Sequence, residues 1–261
     1  MKFRAALILT AITPALFVSH VGAAAQAWVE SYNYKKLNNT YLVSVPVTQD
    51  AGDQLYTIQE RTNNVKITAP STNTGGNTRE FFWPANGPDV MDSMSCAVWS
   101  NQLDSAGQPG GGITQQGAAL RIVQTATGTR GITVTKNIWY AATWVFNVHV
   151  WDSGNTQQPY TQLAGFDMSE VVGKMWWDEQ GQLQSNLKPF PWHVCARTIG
   201  DKFQFKVWAD EPNQPSWNDP KYVREVVIPA EWNQPGKAGW YIGHLEPGYS
   251  AIFQGLQTQY R

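Results

Sequence analysis

Asn147, His149 and Trp151 alternate along the run Val145-Phe146-Asn147-Val148-His149-Val150-Trp151. A strand of that sequence turns these three to one face and Phe146, Val148 and Val150 to the other. A carboxamide, an imidazole and an indole on one sheet face make a polar-aromatic floor. Such a floor can stack on a sugar ring and hydrogen-bond its hydroxyls. His193 and Arg197 lie on a second run of the same kind and offer another imidazole and a cation. Asn147, His149, Trp151, His193 and Arg197 are the candidate ligand-binding residues.

Catalytic groups are less sharply marked. Glycoside hydrolysis uses two carboxylates about 5–9.5 Å apart. No two of the 20 acidic residues are separated by a single residue, so no strand presents such a pair on one face. A dyad built across strands would draw on Glu80, Asp92, Asp167, Glu170, Asp178 and Glu179, each of which also reads as an ordinary surface acid. Eliminative cleavage of a uronate can use His with Tyr or Arg, and His149, His193, Arg197 and Tyr241 would serve if they met on one face. Gly248-Tyr249-Ser250-Ala251-Ile252 begins like a nucleophile elbow but lacks its second glycine. His149, His193 and His244 stand alone on their strands, with no HxH or HExxH spacing, so no metal site is expected. Asp50 and Asp53 are the nearest calcium candidates and read as a solvated turn. No cofactor is expected.

The elements that must position these residues are strands. Glycine, proline and Asn/Asp/Ser clusters punctuate the chain every ten residues or so. Between them run fourteen alternating or apolar segments: 41–47, 55–60, 65–69, 79–83, 93–99, 118–124, 131–135, 143–151, 162–166, 192–199, 202–208, 223–228, 238–244 and 251–259. Gly200-Asp201 is a tight turn between two of them. One short helix is expected, capped by Asp167, with Glu170 at capping-box spacing and Val171, Val172 and Met175 on one side. Residues 73–77 and Ser105–Gly112 read as exposed loops. Thirteen tryptophans are spread along the chain, so they belong to the fold and not to one motif. Trp99, Trp144 and Trp240 are assigned to the core and Trp151 to the ligand face.

Lys2 and Arg4, the apolar run from Ala5 to Val18 and the small-residue site Ala25-Gln26-Ala27 make residues 1–27 a secretory signal. Without Lys2 and Arg4 the formal charge moves from −1 to −3. No Lys/Arg cluster is present, which argues against nucleic acid, and no later run is long enough to span a membrane. Cys96 and Cys195 each lie within a strand run. In an oxidising compartment they can close one disulfide; the alternative is two separate small core residues.

The run from Pro191 to Trp208 carries Trp192, Val194, Ala196, Gly200, Lys206 and Trp208 at the spacing of a W-x-V-x-A hairpin. Glu211-Pro212, Trp217 and Gly236-x-x-Gly239-Trp240-Tyr241-Ile242-Gly243 follow. Over residues 190–255 this resembles the C-terminal half of concanavalin A-like lectin/glucanase domains, in particular laminin G-like bacterial secreted domains. The resemblance implies an all-β, two-sheet antiparallel β-sandwich of jelly-roll type over residues 28–261. The glucanase relatives carry an E-x-D-x-E strand, which is missing here, and Tyr249–Gly255 offers no carboxylate for calcium. The expected function is a secreted, extracellular, carbohydrate-binding protein whose partner is a polysaccharide or glycan. The alternatives are a polysaccharide-degrading hydrolase or lyase on the same fold, and a surface structural or interaction protein.

Overall fold

The computed structural model describes residues 26–36, 40–74, 76–103, 106, 114–137, 142, 144–209 and 211–261. The expected secretory signal and the glycine-rich loop Ser105–Gly112 lie almost wholly outside these residues. In chain order the strands begin with β1 (Val29–Asn33), β2 (Leu42–Thr48), β3 (Thr57–Glu60), β4 (Val65–Thr68), β5 (Arg79–Pro84) and β6 (Ser93–Leu103). They continue with β7 (Gln115–Gln124), β8 (Thr129–Lys136), β9 (Val145–Asp152), β10 (Tyr160–Asp167), β11 (Met175–Trp177) and β12 (Leu183–Ser185). The last five are β13 (Trp192–Ile199), β14 (Lys202–Trp208), β15 (Val223–Val227), β16 (Lys237–Gly243) and β17 (Ser250–Tyr260).

Two large sheets result. The first has the order β15-β14-β13-β6-β17-β4-β3, with β1 also paired to β17. The second has the order β10-β9-β8-β7-β16-β5-β2, and β11 and β12 form a separate hairpin. Neighbouring strands are antiparallel, and the sheets pack face to face as a β-sandwich. The alternation in the sequence sets the inner faces. Phe146, Val148 and Val150 of β9, and Phe203, Phe205 and Val207 of β14, enter one core with Trp99, Trp192 and Trp240. Phe146 stacks between Trp99 and Phe205, with ring centroids 5.8 and 5.9 Å away. Each side chain of this size contributes on the order of 2 kcal/mol when withdrawn from water. Trp144 packs half-buried against the same core.

Local expectations fare unevenly. Ile199 pairs with Lys202, so Gly200-Asp201 is the two-residue turn of the β13–β14 hairpin. The helix is a single turn, Ser169–Val172, and its N-cap is Met168 and not the expected Asp167, whose carboxylate, one residue earlier, accepts the Ser169 N–H at 2.7 Å. It stops at Gly173, whose φ of +74° a helix cannot continue through, and Met175 therefore belongs to β11 and not to the helix. Asn73, expected in an exposed loop, is buried and exchanges hydrogen bonds with the Gln54 backbone. The Asp53 carboxylate beside it is also buried, accepting from Thr74 N–H, Thr74 Oγ1 and Thr78 Oγ1. It staples a loop, where the sequence suggested a solvated turn. Cys96 and Cys195 face each other across β6 and β13 and form a disulfide, which fits a compartment outside the reducing cytosol. Among the described residues no helix is long and apolar enough to cross a membrane.

Candidate functional site

The outer face of the second sheet is a hollow with a floor of small residues. Gly117 and Ala119 on β7, and Gly131 and Thr133 on β8, point outward under the strand register. A Cβ on Gly131 would lie 2.8 Å from the Phe81 ring, so this position admits only glycine if Phe81 is to rest there. Phe81 starts on β5 and reaches β8 across β16 and β7, which requires the sheet to curve toward its outer side. Side chains from opposite ends of the sheet therefore meet. Tyr241 of β16 lies 5.4 Å from Trp151 of β9, and Trp151 lies 5.0 Å from Tyr160 of β10. The Arg79 guanidinium of β5 sits 5.8 Å from the Trp151 ring and 6.0 Å from that of Tyr160, at the outer limit for a cation–π contact.

Asn147, His149 and Trp151 do share this face. Trp151, however, is only 3% exposed, and its indole N–H donates to Thr133 Oγ1 at 2.8 Å. With Phe81, Trp83 and Tyr241 it forms a second small core that fills the deep part of the hollow. The ring of this cluster that meets solvent is Tyr160, 44% exposed and edge-on to His149 at 5.6 Å.

The polar groups around Tyr160 have a distinct electrostatic character. Arg79 donates from Nη1 to Thr48 Oγ1 and the Asn77 carbonyl, and from Nη2 to His244 Nε2 at 2.9 Å. A guanidinium only donates, so His244 Nε2 is an unprotonated acceptor. Burial and then the Arg79 charge hold His244 neutral, with its pKa down at about 3. The same two causes, in the same order, lower His149 to about 4. His149 is buried, and its Nδ1 has no hydrogen-bond partner. Arg79 Nε is likewise buried without a partner, and among the described residues Arg79 forms no ion pair with a carboxylate. Tyr241 donates its hydroxyl to Gln115 Oε1 at 3.0 Å, and burial raises its pKa, so the phenol stays protonated.

His193 and Arg197 are elsewhere. Both project from the outer face of the first sheet, where His193 stacks on Trp208 at 5.0 Å and the Arg197 guanidinium lies 4.1 Å from the Trp217 ring. Of the four residues considered for elimination chemistry, His149 and Tyr241 therefore share a face and His193 and Arg197 do not. The candidate acids are also dispersed. Glu80 points to the inner side of β5, fully buried, and desolvation raises its pKa to about 7. Asp92 binds Gly200 N–H and Arg261, Asp167 accepts the Ser169 N–H before the short helix, and Asp178 is tied up in the β11–β12 turn. Glu170 and Glu179 are exposed. Arg79 and Tyr160 were not singled out by the sequence, and His244 was noted there only as a lone histidine. Arg79-x-Phe81-x-Trp83 does alternate like the Asn147 strand, and that is the signal that points to it.

No family model matches the sequence, and no curated protein matches it. Solved structures of similar chain path exist. The exoplasmic/lumenal domain of VIP36 in its Ca2+/Man3GlcNAc-bound form is 9% identical over 84% of this chain and 83% of that one, with a TM-score of 0.44. The CBM2 module of the evolved Dit of Lactobacillus casei BL23 phage J-1 is 11% identical over 89% and 96%, with a TM-score of 0.49. A Bacillus subtilis protein of unknown function with a galectin-like fold is 7% identical over 89% and 97%, with a TM-score of 0.45. A likeness this distant says nothing of a ligand.

Proposed function

We propose that this is a carbohydrate-binding protein whose site is the rim of the hollow on the second sheet, formed by Arg79, Asn147, His149 and Tyr160, with Trp151 packed beneath as their support. The observation that carries the reading is the unpartnered, buried Nδ1 of His149 beside the exposed Tyr160 ring. A buried polar atom without a partner costs about 1–3 kcal/mol, and a turn of the imidazole toward Tyr160 would let a hydroxyl of a sugar stacked on that ring supply the missing bond. Arg79, with no carboxylate of its own among the described residues, favours a glycan that carries one. Binding of the purified protein to an array of neutral and uronate-bearing glycans tests this. His149→Ala and Tyr160→Ala should each abolish retention of the uronate-bearing glycans, and unchanged retention in both would sink the proposal.

Eliminative cleavage at the same site is a second reading, favoured by the neutrality of His149. A neutral imidazole can take the proton from the carbon next to a uronate carboxylate, which Arg79 would make more acidic; as the double bond forms, the glycosidic C–O bond on the following carbon breaks and the leaving oxygen takes a proton from solvent. The double bond left in the product absorbs ultraviolet light, so absorbance growing on incubation with a polyuronate supports cleavage. Binding without it leaves recognition alone. Paired-carboxylate hydrolysis has less support, since in the strand rows of this face Asp167 is the one carboxylate among the described residues.

A further inference from the structure

A second aromatic surface lies away from the hollow. In the β11–β12 hairpin Met175 pairs with Ser185, Trp176 with Gln184 and Trp177 with Leu183. Residues directly opposite share a side of the ribbon, so Trp177 and Leu183 face one way and Trp176 and Gln184 the other. Trp177 is 70% exposed, Leu183 46% and Trp176 41%. Among the described residues neither indole stacks on another ring.

A two-stranded ribbon on its own is marginal in water, and this one is braced at both ends. At the tip, Asp178 Oδ1 accepts from the backbone N–H groups of Gln180 and Gln182, and Oδ2 accepts from Gln184 Nε2 at 2.6 Å. At the base, Asn186 Oδ1 accepts the Lys174 N–H at 2.8 Å, and the Asn186 N–H donates to the Lys174 carbonyl at 3.0 Å. The bracing therefore holds large apolar rings in water, where a merely structural hairpin would turn them inward.

The chemistry around the rings selects what can cover them. From Met175 to Asn186 the chain carries Asp178 and Glu179 and no cation, with Gln180, Gln182, Gln184, Ser185 and Asn186 between. Two carboxylates repel an anionic lipid surface or a polyuronate. Trp177 shares its side of the ribbon with Leu183 and Ser185, and the turn next to it carries Gln180 and Gln182. A flat exposed indole beside uncharged polar groups fits a neutral sugar, whose apolar ring face stacks while its hydroxyls meet those groups. We infer that the β11–β12 hairpin is a second carbohydrate-binding site, with Trp177 as the stacking platform for a neutral polysaccharide.

The test is depletion of the purified full chain by insoluble cellulose, chitin, mannan and starch, each read by the protein left in solution, with phosphatidylglycerol and phosphatidylcholine vesicles as alternative surfaces. At least one polysaccharide should retain the protein. Trp177→Ala should cut that retention at least tenfold, Trp177→Phe should restore part of it, and His193→Ala, on the outer face of the first sheet, should leave it unchanged. Because Trp177 is largely exposed, the alanine variant should keep the parent's circular dichroism and melting temperature. Retention by none of the four polysaccharides, retention insensitive to Trp177→Ala, or Trp177-dependent capture by vesicles instead would overturn the inference. None of those results bears on uronate binding at the hollow.

Discussion

The outer faces of the two sheets carry similar side chains and differ in how completely those side chains satisfy one another. On the first sheet, the Trp217 ring lies 4.1 Å from the Arg197 guanidinium and 4.4 Å from Lys206 Nζ. Arg197 Nε donates to Gln204, Lys206 Nζ donates to the Pro215 carbonyl, and His193 has Trp208 to stack on. On the second sheet, His149 Nδ1 and Arg79 Nε are buried without partners, and the Tyr160 ring faces water. Cations and aromatics on a sheet face are thus no sign of a site by themselves. The second sheet differs because the chain leaves polar demands there that its own atoms do not meet, and that is where a ligand gains most.

The largest expected difference between the faces is in stability. The disulfide anchors the first sheet and links residues 99 apart, which in the chain-entropy model is worth about 4–5 kcal/mol. Replacing both cysteines by alanine should lower the melting temperature strongly while the remaining folded protein keeps its glycan affinity. A parallel loss of affinity would mean that the two faces are coupled.

Glu80 lies under the hollow, and its effect is next in size. Its folded pKa of about 7 exceeds its ordinary value of 4.5, so its contribution is full below about pH 4.5 and is lost as pH rises through about 7. That loss is about 3 kcal/mol. The buried His149 and His244 act with the opposite sign, since lowered pKa values give stability that is present above about 6.5 and lost as pH falls through about 4 and 3. Glu80→Gln should therefore raise the melting temperature at pH 8 and remove the decline above pH 5, leaving the acid limb in place. An unchanged profile would show that Glu80 does not titrate in this range.

Arg79→Ala should weaken uronate-glycan binding about 10- to 100-fold, the usual cost of losing a charged hydrogen bond. Equal affinity of the variant for acidic and neutral glycans, measured by calorimetry, is the sharper form of the test. Trp217→Ala should cost about 1–2 kcal/mol in chemical denaturation. It should also return the Lys206 ammonium, which burial lowers to about 8, toward its ordinary value without touching glycan affinity. The smallest effect belongs to His193→Ala, less than about 1 kcal/mol in stability and none in binding. If it matched His149→Ala in binding, the contrast between the faces would fail.

Strand alternation is a local property, and much of the architecture was legible from it. Each of the fourteen expected segments overlaps a strand, and 192–199 and 202–208 match to the residue. β1, β11 and β12 were not read. β1 exists because Val29 finds Tyr260 at the other end of the chain, and β11 and β12 are three residues each, too short for a period to show. Met175 fell at helical spacing from Val171 and Val172, and only the backbone at Gly173 moved it into a strand.

By itself the sequence determined that Asn147, His149 and Trp151 lie on one face of a strand, because side chains of a strand alternate whatever surrounds it. Tertiary structure alone decided that this face curves inward over Gly117 and Gly131, that Arg79 and Tyr241 reach it from the far side of the sheet, and that Trp151 is packed away while Tyr160 is left exposed. It also decided that His193 and Arg197 belong to the other sheet. Which strand lies beside which, and how far a sheet bends, depend on residues more than a hundred positions apart, and no local period encodes them.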